Sequence, residues 1–189
     1  MPLYLVTCQH RSARRRVPRP LGLALLAVSL VAACGPALDW REMRPEGTHV
    51  RVAMPCRPAS HERQVPLAGT PVTMRLLACP VGSATFALAY ADVADPARVA
   101  PALSALVEAA RANVQGQGQV LVPAQVPGMT PQPQAQRWRM QGRLPDGRAI
   151  VSQGLVFAHG TTVYQATIVS ESTSEDAARS FFDGLAVLP

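Results

Sequence analysis

Cysteine is the residue type in this chain with the widest choice of chemistry, and thiols stand at positions 8, 34, 56 and 79. A thiol forms a disulfide, ligates a soft metal, attacks electrophilic carbon or accepts an acyl chain, and its neighbours and compartment decide among these. Cys56 and Cys79 lie in no CxxC pair, and His49, His61 and His159 show no HxxxH spacing, so each histidine is expected at a solvated surface position. G-x-S-x-G, HExxH, P-loop and GxGxxG patterns are all missing from the sequence. Gly82-Ser83 has turn surroundings rather than those of a nucleophile elbow, and Asp95, near Asp92, is already engaged as a helix cap. The sequence therefore assigns no catalytic residue, no metal and no cofactor. One further constellation has binding chemistry. Arg137, Arg139, Arg143 and Arg148 can share the solvent face of a hairpin, where guanidinium forks would pair with phosphate or carboxylate on an anionic partner. The alternative is that these arginines keep an exposed sheet face soluble.

Charge argues against nucleic acid as the partner. The formal charge is +6 over 189 residues, from eighteen arginines, no lysine and twelve acids. Five of the arginines (Arg11, Arg14, Arg15, Arg16 and Arg19) precede residue 34 and no acid does, so the remainder carries a net charge of about +1. A nearly neutral domain lacks the electrostatic footprint that dominates nucleic-acid affinity.

The clustered arginines open a targeting segment. They are followed by an apolar run from Leu21 through Val31 and the small residues Ala32 and Ala33. From Leu21 to Ala33 a helix would be roughly 20 Å long, at ~1.5 Å per residue, against ~30 Å for a bilayer core. The run closes with Val31-Ala32-Ala33-Cys34-Gly35, which resembles the lipobox of bacterial lipoproteins. That resemblance implies cleavage before Cys34, acylation of its thiol and anchoring by lipid, with ~0.8 kcal/mol for each buried methylene. It also implies a periplasm-facing location, and Gly35 after the cysteine points to the outer rather than the inner membrane. An ordinary cleaved signal and an uncleaved anchor are the alternatives. Residues 1–33 are thus expected to be a signal peptide, 34–47 a tether and 48–189 a single domain.

An oxidising compartment changes what the remaining thiols do. With Cys8 in the leader and Cys34 acylated, Cys56 and Cys79 form an even pair, and a disulfide is expected between them. A metal site of Cys56, His61, Cys79 and His49, or a free redox-active pair, is the alternative.

Local patterning places these residues on elements. Thr48–Met54 alternates as a strand; strands over 62–67 and 71–79 flank Ala68-Gly69-Thr70; a strand over 85–91 follows. Asp95-Pro96 begins an amphipathic helix over 96–114, with Val99, Leu103, Leu106, Val107, Ala110 and Val114 on one stripe. Residues 115–134, rich in Gln, Gly and Pro, are expected to form a long connection holding one short strand around Val120-Leu121-Val122. Strands over 135–144, 148–158 and 161–170 come next, with Pro145-Asp146-Gly147 as a turn. A last helix is expected to start at a capping box of Ser172 and Glu175. The order β-β-β-β-α-(β)-β-β-β-α predicts an α+β fold, an antiparallel sheet of about six to seven strands covered by two helices.

That order, the long mid-chain segment, Val163-Tyr164-Gln165-Ala166-Thr167-Ile168 and the ending Ala177 to Leu185 resemble envelope lipoproteins of the PsbP/Mog1-like (DcrB-like) fold group. The resemblance extends over residues 48–188 and implies no reaction of its own. The functional expectation is a lipid-anchored, non-enzymatic domain that binds an envelope protein or an anionic headgroup. An enzyme with a site around the 115–134 segment is the alternative.

Overall fold

Strands dominate because large apolar side chains recur at every second position, and in a sheet that places them on one face. The computed structural model describes residues 38–189 apart from Thr173, with only the backbone of 117–120; the expected signal peptide and Cys34 lie outside the described residues. The strands are β1 (Arg41–Met43), β2 (Val50–Met54), β3 (Ala59–Leu67), β4 (Thr70–Val81), β5 (Ala84–Asp92), β6 (Gln117–Pro123), β7 (Gln136–Arg143), β8 (Ala149–His159), β9 (Thr162–Ser170) and β10 (Ala186–Val187). The helices are α1 (Val99–Asn113) and α2 (Glu175–Asp183).

Seven strands form one antiparallel sheet in the order β3-β4-β5-β9-β8-β7-β6, and β1-β2-β10 form a second, small sheet. Two hairpin meanders, β3-β4-β5 and β7-β8-β9, meet where β5 pairs with β9 in the register Tyr90↔Tyr164. The architecture is therefore the expected α+β one, with the antiparallel sheet and two helices.

Each face of the large sheet has its own core. On the front face Cys79, Phe86, Leu88, Phe157, Tyr164 and Ile168 pack beneath α2, the small sheet and Ala124 and Val126 of the segment after β6. On the back face Trp138, Met140, Ile150, Val156 and Val163 pack beneath α1. Trp138 reaches over β8 because residue 154 is glycine: a Cβ there would stand 2.3 Å from the indole. The indole N–H donates to Ser152 Oγ at 3.3 Å, so its polar edge is satisfied in the core.

Several local details differ from expectation. Residues 96–98 form a 3-10 turn capped by Asp95, whose Oδ1 accepts from Ala97 N at 2.9 Å, and the α-helix starts at Val99. The cap of α2 is Ser174, not Ser172: Ser174 Oγ accepts from Ala177 N at 3.1 Å, placing Glu175 in the first position of the helix. Within the expected tether, Arg41–Met43 is a strand paired with β2. Trp40, in the same expected tether, packs edge-on against Phe86 with ring centroids 6.0 Å apart. Beyond β6 the long connection is an extended crossing: Ala124 N donates to Ala135 O, Thr130 N to Ala158 O and Val187 N to Pro127 O.

Candidate functional site

Small residues on the back face create the cavity of interest. Phe86, Leu88 and Tyr90 of β5 point to the front, so Ala87 and Ala89 point to the back and leave the sheet low there. Helix α1 begins near the end of β3, where Arg98 donates to Leu67 O at 3.5 Å, and ends at β7, where Val114 O accepts from Arg143 N at 2.7 Å. It thus crosses the back face obliquely and leaves one corner uncovered. The result is a groove of about 680 Å³.

Its chemistry is graded. Leu106 and Ala109 of α1 form one wall, and Met74, Leu76, Ala87 and Ala89 form an apolar floor. Gln165 and Thr167 supply amide and hydroxyl groups, already bonded to each other at 3.2 Å. His61 and Arg63 on β3 form the exposed rim. Arg63 has no ion-pair partner among the described residues; its neighbour Glu62 also lines the groove, but its carboxylate is held by Arg75 at 2.7 Å. An apolar floor with one free guanidinium at its rim suits a molecule with an apolar body and an anionic end.

The four arginines singled out from the sequence are unequally available. Arg137, Arg139 and Arg143 alternate along β7 opposite the buried Trp138 and Met140, as the strand period requires. The Arg137 guanidinium stands over the Phe182 ring, 4.7 Å from its centroid. Arg143 Nη1 donates to Gly147 O at 3.0 Å. Arg148, in the turn, pairs with Asp146 at 2.8 Å and Glu171 at 3.0 Å, and its hydrogen bond holds the Asp146 carboxyl below the usual carboxylate range. Arg139 is exposed and has no ion-pair partner among the described residues. A cleft of about 620 Å³ beside Arg143 is also lined by Glu171, whose carboxylate opposes an anion there.

Cys56 and Cys79 are joined by the expected disulfide, with Cα atoms 5.9 Å apart. It links the turn after β2, in the small sheet, to β4 in the large one. With both sulfurs so used, the four-ligand metal alternative has lost two of its ligands. His49 instead lies against His159, with ring centroids 5.7 Å apart, a pairing across 110 positions of sequence that spacing could not reveal.

Among the described residues, Tyr164 is a titratable group set in the front core. Burial pushes its phenol up to about 12, opposed by hydrogen bonds to Thr162 and Thr48. Because the folded form holds the phenol proton more tightly than an unfolded chain, whose tyrosine titrates near ~10, this contribution to stability is complete below pH ~10 and is lost as pH rises toward about 12. Thermal melts between pH 9 and 11.5 should therefore fall steeply above pH ~10. Tyr164→Phe, which keeps the stacking on Phe157 at 4.8 Å, should flatten that fall, and equal slopes in both proteins would refute the assignment.

No protein-family model, no curated protein and no solved structure matches the chain.

Proposed function

We propose that this chain is an exported, lipid-anchored envelope domain that binds, without catalysing a reaction, a small ligand with an apolar body and an anionic end. The groove beside α1 carries the binding half of this reading: there an apolar floor and Arg63, a cation without an ion-pair partner among the described residues, converge on one concavity. The leader and the lipobox-like Val31-Ala32-Ala33-Cys34 support export and anchoring, and a disulfide is compatible with an oxidising compartment. The order of strands and helices supports membership of the PsbP/Mog1-like fold group. An outer-membrane, periplasm-facing location follows from Gly35 after the acylated cysteine.

Anilinonaphthalene sulfonate, an aromatic body with one sulfonate, is a suitable probe. It should bind the folded protein at a single saturable site, and Arg63→Glu should weaken it about tenfold, the equivalent of ~1.4 kcal/mol for a charge-assisted contact. Arg139→Glu should leave binding unchanged. In cells, Cys34→Ser should abolish the acyl mass and release the protein from the membrane fraction. Dye binding that is unsaturable, or equally sensitive to both arginine variants, would overturn the groove; unchanged membrane association of Cys34→Ser would overturn the anchor.

A further inference from the structure

The two free edges of the large sheet are built differently. Strand β3 carries Glu62 and Arg63, charged residues by which an edge resists pairing with another chain. Strand β6 reads Gln-Gly-Gln-Val-Leu-Val-Pro and carries no charge at all. Leu121 and Val122 are 45% and 47% exposed, in contrast to the rest of the large apolar side chains of the sheet among the described residues. An uncharged edge with Leu121 and Val122 in solvent is open to strand addition.

Register then specifies what such a strand must carry. Val122 pairs with Arg137 and Val120 with Arg139, so these arginines stand on the front face beside β6, whereas Leu121 pairs with Trp138 on the back. A strand added at the usual ~4.8 Å spacing lies about 10 Å from β7, a gap that an arginine and a glutamate side chain close between them across Val120 and Val122. Among the described residues Arg139 has no ion-pair partner, and the Arg137 charge persists in its contact with Phe182. On the back, an apolar residue would cover Leu121. The irregularity between Gln117 and Val120 confines regular pairing to the stretch Val120–Pro123, so the added strand is short.

We infer that β6 is a recognition edge for a partner polypeptide that adds as a β-strand with alternating acidic and apolar residues. A second copy of this chain fits less well, since β6 offers no acid to Arg139. This inference is independent of the groove, which lies toward the opposite edge of the sheet and uses Arg63.

The test uses the full chain and two blocked peptides, one alternating Glu and Val and the other alternating Arg and Val. The acidic peptide should bind at least about tenfold more tightly by fluorescence anisotropy, lose that advantage in high salt and slow hydrogen exchange at the amides of residues 120–122. A double variant Leu121→Glu, Val122→Glu should weaken it about tenfold or more through like-charge repulsion and loss of the apolar contact, and Arg139→Gln should remove about half of the salt dependence while Arg63→Glu has no effect. Should the double variant lose its fold, Arg139→Gln and the exchange data decide alone. Equal affinity for the two peptides, unchanged exchange at β6, or a concentration-dependent dimer dissolved by the double variant would each overturn the inference.

Discussion

Replacement of Phe181 by alanine is expected to lower the free energy of unfolding by about 3–5 kcal/mol, a large part of the margin of an ordinary domain. Phe181 is fully buried and touches Phe86 at 5.4 Å and Phe182 at 5.2 Å between ring centroids. Helix α2 has nine residues, too few to persist alone, so its stability comes from this packing rather than from propensity. Truncation removes the apolar contact and leaves a cavity between α2 and β5 that neither element can collapse to fill. Urea unfolding followed by far-UV circular dichroism provides the measurement. A loss under about 1 kcal/mol would mean that α2 does not anchor the front face as described.

Loss of the Cys56–Cys79 bond is expected to cost about 3 kcal/mol, because the bridge closes a 23-residue separation and restricts the unfolded chain. For a domain of this size that corresponds to a fall in melting temperature of roughly 6–12 °C. The bridge joins the two sheets, and Cys79 is completely buried, so its loss should loosen β2 against β4 first. The double variant Cys56→Ala, Cys79→Ala should melt lower than the oxidised protein and ignore reductant, whereas the oxidised protein should fall to the same range when reduced. Identical melting with and without reductant would show that the bridge does not support the fold.

Local pattern made much of the fold legible. The period-two alternation of β2, β5 and β7, the stripe on α1 and the turn at Pro145-Asp146-Gly147 are properties of short segments, and each element appears within a few residues of its expected bounds. Strands β1 and β10 escaped because three and two residues carry no periodicity; they exist through pairing with β2. The cap of α2 shifted by two residues for a related reason, since Ser172 and Ser174 are equally good acceptors and only packing of Phe181 and Phe182 sets where the helix must begin.

By itself, then, the sequence determined which residues share a face and which segments are strand or helix, since these follow from neighbours within one or two turns of chain. Only the tertiary structure decided which face α1 covers and which corner it leaves open, that His49 meets His159, that Arg148 is neutralised while Arg63 and Arg139 are not, and that β6 ends as an uncharged edge. Those outcomes depend on the lateral order of strands, and alternation within a strand says nothing about which strand lies beside it.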